Sequence, residues 1–198
     1  MSLSRLAEHK LIERAKAGEA AAMAELIRLH HDSLYAFMLR MSGRPDVAED
    51  VVQEAFVRVI RNLDRFDPRF RFSTWLFTIA KRLYVNWSQK FRPVSETDLV
   101  QSWEGGPARP EDGVTHAESR ASMHQMINLA LSSLGEVQRE IVLLFHQQEW
   151  SIADISRYLN MPEGTIKSHL HRARRRMREA LEQQQGVLAD DVSEVLAS

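Results

Sequence analysis

A chain of 198 residues, 44% hydrophobic and 27% charged, has the make-up of an ordinary globular protein, long enough for one domain or for two small ones with modest cores. It contains no cysteine, which excludes disulfides and thiolate-held zinc or iron–sulfur centres, and no run approaches membrane-spanning length. The formal net charge of -1 conceals segregation: six basic residues (Arg69, Arg71, Lys81, Arg82, Lys90, Arg92) and six more (Lys167, Arg172, Arg174, Arg175, Arg176, Arg178) fall in two stretches without an acid. Two basic stripes so far apart point to two contacts on a polyanion.

The N-terminus, MSLSRLAEHKLIERAKAG, is polar throughout and has no apolar stretch before a small-residue cleavage site, so the expected location is the cytoplasm, with no membrane insertion. Apolar positions recur every three or four residues at both ends of the chain, and strand alternation and hairpin signals are lacking, so the expected fold is all-α. In the first half the pattern predicts helices near Leu6–Lys16, Ala20–Met41, Val47–Leu63 and Ser73–Lys90. Breaks are expected at Gly18, at Ser42-Gly43-Arg44-Pro45 and at Asp67-Pro68.

In the third of these helices Val51, Val52, Ala55, Phe56, Val59, Ile60 and Leu63 make a stripe to be buried, while Asp46, Asp50, Gln53 and Glu54 line another face. The acids favour the positive end of the helix dipole; they also suit a docking face for a basic partner, and the two readings are compatible. The fourth helix and its approach hold seven of the fifteen aromatic residues: Phe70, Phe72, Trp75, Phe77, Tyr84, Trp87 and Phe91. Trp75, Leu76, Ile79, Ala80 and Leu83 account for a core stripe. Aromatics interleaved with Arg and Lys are also the composition that stacks unpaired bases and holds their phosphates, and either use fits the remaining rings.

Residues 93–118 read as a flexible linker, with Pro93, Pro107, Pro110, Gly105, Gly106 and Gly113 and with six acids against Arg109 alone. It separates an N-terminal helical domain, 1–92, from a C-terminal one, 119–185, followed by a tail, 186–198. Helical spacing resumes at Ser119–Leu134, Val137–Gln147, Ile152–Leu159 and Glu163–Gln183. Ser151 with Asp154 reads as an N-cap, Asn160 suits a left-handed residue, and Pro162 suits the first turn of the next helix. The result is a tight helix-turn-helix. In its second helix Ile166, Leu170, Ala173 and Met177 form an apolar line, leaving Lys167, Ser168, His171, Arg172 and Arg175 outward. That face fits a DNA major groove; the competing reading is a basic face that is merely solvated. His169 and His171, two apart on a helix, point in different directions, and no metal site is expected.

The strings AEDVVQEAFVRVIRNLDRF, FSTWLFTIAKRLYVNW and PEGTIKSHLHRARRRMREAL, in this order and spacing, resemble the extracytoplasmic-function (ECF, group IV) bacterial RNA polymerase sigma factors from about Leu26 to Leu181. The resemblance implies a factor that binds core RNA polymerase, directs it to promoters and assists melting. It implies that Asp46, Glu49, Asp50, Gln53 and Glu54 lie on the helix that docks on core polymerase. It places Trp75, Lys81, Arg82, Asn86 and Lys90 against the minus-ten element as its strand separates. Thr165, Lys167, Ser168, His171, Arg172 and Arg175 would read and hold the minus-thirty-five element as duplex. The acidic linker would thread toward the RNA exit path, and factors of this group are commonly held inactive by an anti-sigma protein. Three positions depart from the pattern: Arg82 and Asn86 stand where Asn and Asp are frequent, and Glu149 stands where Gly is common.

A repressor would need the helix-turn-helix but neither the acidic helix nor the aromatic, basic one. An enzyme would need converging carboxylates or a metal, whereas the basic stretches lack acids. No catalytic residue and no cofactor is expected.

Overall fold

The computed structural model describes residues 5–90, 123 and 125–196, with every regular element among them helical. The helices are α1 (Arg5–Lys16), α2 (Ala20–Ser42), α3 (Pro45–Asn62), α4 (Phe72–Lys90), α5 (residues 125–132), α6 (Glu136–Val142), α7 (Ile152–Leu159) and α8 (Glu163–Leu196). A 3-10 turn, Leu63–Arg65, follows α3, and a π turn, Leu143–Gln147, follows α6. The chain divides into two compact units, one through Gln101 and one from Ser102. The expected linker, 93–118, lies outside the described residues, as does Phe91.

In the first unit α2 ends at Gly43, whose φ of 68° is the left-handed conformation that glycine adopts without a Cβ clash, and whose N–H donates to the Leu39 carbonyl at 2.8 Å. Pro45 then occupies the first turn of α3, where its missing N–H costs nothing. Val47, Val51, Val52, Ala55, Phe56 and Val59 of α3 are buried against α2 and α4. Ile60, expected in that stripe, is 45% exposed; the chain leaves the α-helix two residues later, and Leu63 and Phe66 close the core instead.

The core face of α4 also differs from the periodicity reading. Phe72, Leu76, Phe77 and Ala80 are buried, whereas Trp75, Ile79 and Leu83 are half-buried. The rotation brings Phe77 onto Phe37 of α2, with ring centroids 5.0 Å apart, and Phe72 onto His30, also at 5.0 Å. Two rings that the sequence left spare thus fill the core, and Trp75 packs at its edge on Phe66 and Phe72. The ring contacts that α2 offers at 72 and 77 decide the rotation over the stripe drawn through 75, 79 and 83.

The second unit is built on Ile141, Leu144, Trp150, Ile155, Ile166, Leu170 and Ala173, all buried. Helix α6 was expected to continue to Gln147; it ends at Val142, and the π turn buries Leu143 and Leu144 before a left-handed Glu149, φ 53°. Helix α8 runs from Glu163 to Leu196 without a break, past the expected end near Gln183. Gly186 within it is a weak stop, since glycine costs only about 1 kcal/mol relative to alanine inside a helix.

Candidate nucleic-acid interface

The local chemistry of the helix-turn-helix is the one its residues dictate. Ser151 is extended at φ -68°, ψ 154°; its Oγ accepts the Asp154 N–H at 3.1 Å, capping α7, and donates its own proton to Asp154 Oδ2 at 2.6 Å. Asn160 is left-handed at φ 53°, ψ 46°, and its N–H donates to the Ser156 carbonyl. The Pro162 carbonyl accepts from Thr165 and Ile166, at 2.9 and 3.1 Å, which starts α8. Beneath the turn, the Tyr158 hydroxyl donates to the carboxylate of Glu140, the one charged side chain among the buried residues described, at 4% exposure. Burial and this carboxylate together push the Tyr158 pKa well above the ordinary phenol value.

On α8, Ile166, Leu170 and Ala173 are buried, Met177 is half-buried, and Lys167, Ser168, His171, Arg172 and Arg175 are exposed. Ser168, His171, Arg172 and Arg175 follow an i, i+3, i+4, i+7 pattern and so form one stripe, with Lys167 at its edge. Thr165 is half-buried and sits at the margin of that face. Ser168 Oγ donates to the Gly164 carbonyl at 2.9 Å, Arg172 Nε donates to the Ser168 carbonyl at 3.3 Å, and Arg175 pairs with Glu179 at 3.4 Å, all at the surface. Exposed contacts of this kind contribute little and exchange readily for phosphate. Arg174 and Arg176 are different: the first lies over the Phe145 ring at 5.9 Å and the second donates to Gln138 Oε1 at 3.3 Å. They brace α8 on its own unit, and burial, with a smaller push from the Arg174 charge, lowers the His146 pKa.

On α4, Trp75, Arg82 and Asn86 fall at i, i+7 and i+11, one stripe along the helix; Arg82 and Asn86 are exposed and Trp75 is half-buried. Lys81, half-buried, lies on one flank of that stripe and Lys90, exposed, on the other, so the five expected residues form a central line of three with two flanking cations. Tyr84 and Trp87 belong to the inner side. Their rings stack at 6.4 Å, the Tyr84 hydroxyl donates to the Met41 carbonyl at 3.2 Å, and the Arg44 guanidinium lies over Trp87 at 5.4 Å.

On α3, Asp46, Glu49, Asp50, Gln53 and Glu54 are all exposed. Asp46 binds Arg44, which holds its carboxyl below the usual range, and Glu54 binds Arg58 at 2.8 Å. Asp50 and Glu49 carry the least neutralised charge of the face: among the described residues neither has a cationic partner. The sequence reading missed Glu140 and its bond to Tyr158, although a signal existed: Glu140 is in phase with the apolar pair Ile141 and Leu144. Among the described residues no group of three His, Asp or Glu side chains could hold a metal ion, and no helix is long and apolar enough to cross a membrane.

An acidic helix beside a basic, aromatic one in the first unit, and a basic helix-turn-helix in the second, define a transcription initiation factor of the sigma-70 class. The Sigma-70 region 2 model matches residues 26–91 and the Sigma-70 region 4 model matches residues 124–177. The chain is 34% identical over 182 residues to the ECF RNA polymerase sigma factor SigW of Bacillus subtilis (strain 168), covering 87% of this chain and 95% of that one. It is 33% identical over 176 residues to SigL of Mycobacterium tuberculosis, covering 87% and 96%. Among solved structures it is similar to the sigma factor RpoE of Bartonella quintana in complex with the anti-sigma factor NepR, at a TM-score of 0.65 and 28% identity, over 80% of this chain and 96% of that one. The chain belongs to the ECF RNA polymerase sigma factors, which bind core RNA polymerase, direct it to promoters and assist promoter melting.

Proposed function

We propose that this sigma factor divides its work among three faces. The α3 face of Asp46, Glu49, Asp50, Gln53 and Glu54 docks on a basic surface of core polymerase, with Asp50 and Glu49 foremost because neither has a cationic partner among the described residues. The α4 line Trp75, Arg82 and Asn86, flanked by Lys81 and Lys90, meets the minus-ten element as its strands part. The α8 stripe Lys167, Ser168, His171, Arg172 and Arg175, with Thr165 at its margin, lies in the major groove of the minus-thirty-five element. Domain 1–92 carries the first two faces, 93–118 links it to the helix-turn-helix domain 119–185, and 186–198 is a tail. The protein works in the cytoplasm by binding rather than by catalysis, belongs to group IV, and is held inactive by an anti-sigma protein, as its similarity to a factor solved with one supports.

The observation that carries this reading is the exposure of two acid-free basic stripes, on α4 and on α8, in separate compact units. Run-off transcription with purified core polymerase tests it. The protein should start discrete transcripts that core alone does not start; a repressor would start none.

A further inference from the structure

Two contacts fix the register of α2 against α4, Phe37 on Phe77 and the Met41 carbonyl with the Tyr84 hydroxyl, and just past the end of α2 Arg44 lies over Trp87. Advancing along one helix advances along the other, so the two run parallel at this seam. Arg40 of α2 and Lys81 of α4 lie between the first and second contacts and therefore at the same level. Ala80, fully buried, keeps the helices close there. Both cations are half-buried.

Among the described residues Arg40 is the one half-buried arginine of this unit. Arg14, Arg28, Arg44, Arg58 and Arg69 each meet a carboxylate, whereas no hydrogen bond or ion pair engages the Arg40 guanidinium among the described residues. Burial pushes its pKa down, but a guanidinium stays charged in proteins. A charge partly stripped of water and left without a counter-charge is costly, and an anion brought to it recovers that cost. Arg40 stands outside both basic stretches of the sequence, and so charge segregation alone gave no sign of it.

We propose that Arg40 is a phosphate-binding residue that holds one phosphodiester of the unpaired promoter strand at the α2–α4 seam, level with Lys81. The assignment rests on the reading of α4 as the face for that strand. Lys81 flanks the Trp75, Arg82 and Asn86 line on the side of the seam, so a backbone lying along α4 reaches Arg40 by passing Lys81. The guanidinium then anchors the strand by charge and geometry without reading a base.

The test uses holoenzyme formed with core polymerase and a fluorescent single-stranded oligonucleotide carrying the minus-ten element of a promoter that the holoenzyme transcribes. Arg40→Ala should weaken binding about fivefold and reduce the slope of log affinity against log salt by about 0.7, the value for one phosphate on a single strand. Arg40→Lys should recover most of the slope. A neutral methylphosphonate placed at successive linkages should cost wild-type affinity at one position and cost the Ala variant nothing there. Arg40→Gln, which removes the charge but keeps a polar, hydrogen-bonding side chain, and unchanged affinity for core polymerase separate this effect from misfolding. An unchanged slope with the same methylphosphonate profile in Arg40→Ala overturns the proposal. So does tighter binding by that variant, which would mean that carboxylates of segment 93–118 occupy Arg40. Wild-type holoenzyme that ignores the oligonucleotide would instead overturn the reading of α4 itself.

Discussion

The Tyr158 hydroxyl of α7 donates a hydrogen bond to the buried carboxylate of Glu140 on α6, tying the first helix of the helix-turn-helix to the helix beneath it. The Trp150 ring, itself buried, packs nearly perpendicular to that of Tyr158 with centroids 5.3 Å apart. Tyr158→Phe leaves the Glu140 carboxylate without this donor and should destabilise the C-terminal unit by about 1–3 kcal/mol. Hydrogen exchange of α7 and α8 in the full chain measures it; an unchanged exchange rate would mean that the bond contributes nothing.

The same pair sets a pH dependence. The folded state holds the phenol proton to higher pH than the unfolded chain does, so the contribution is fully present below the ordinary tyrosine pKa of about 10. It is lost as pH rises from there through the raised folded value. Unfolding of the C-terminal unit should steepen on the alkaline side in the wild type and do so less in Tyr158→Phe, as urea midpoints against pH would report.

Glu149 holds a left-handed backbone with φ 53°, a conformation that costs an L-residue on the order of 1–2 kcal/mol. Glu149→Gly should therefore raise the stability of the C-terminal unit by about 1 kcal/mol, net of glycine's larger unfolded-state entropy, and leave promoter binding unchanged. A lower urea midpoint for the variant would contradict this account of the turn.

Reversing charge at Asp50 and Glu54 together should weaken association with core polymerase about tenfold or more, since charges facing a complementary surface govern both encounter and register. The fold should hardly change, because both residues are exposed and the Glu54–Arg58 pair is a surface one. Fluorescence anisotropy with core polymerase reads the affinity, and an unaltered value would remove α3 from the docking surface.

On α8, Arg172→Ala should lower the salt slope of duplex binding by about one and weaken all sequences alike if the guanidinium holds phosphate. If it reads a base, discrimination at one position should relax by roughly 1–3 kcal/mol. Binding indifferent to both changes would make α8 structural. Arg174→Ala and Arg176→Ala, which remove braces to Phe145 and Gln138, should act on stability before they act on DNA.

Capping and turn residues made the helix-turn-helix legible: the structure has Ser151, Asp154 and Asn160 in the expected roles, while Pro162 stands one residue before α8 rather than in its first turn, its carbonyl accepting the first bonds of the helix. Less legible was what depends on packing between helices. Ile60 fits the apolar period of α3 but is left outside because α3 ends at Asn62. Phe72 and Phe77 enter the core because α2 offers His30 and Phe37 to their rings, a fact that no single helix contains. The π turn at Leu143–Gln147 and the bond between Glu140 and Tyr158 are likewise products of tertiary fit. Among the site residues, the placing of Lys81 and Lys90 on opposite flanks of Arg82 follows from helical spacing alone, whereas which side of α4 turns inward is settled only by packing.

The central claim is that α4 presents Arg82 to a melted strand, holding it through the backbone rather than through base identity. A guanidinium offers a fixed charge and five donors, which suit phosphate, and Arg82 is exposed beside Asn86 and Trp75. Permanganate reactivity of unpaired thymines reports the melted state directly, on a duplex promoter and on one pre-melted by mismatches. The account predicts that Arg82→Ala slows opening of every duplex promoter, more so as salt rises, because fewer phosphate contacts remain to offset unstacking. Equal opening rates for Arg82→Ala and the parent on both templates would contradict it, and a change in preference at one promoter base alone would make Arg82 a base reader instead.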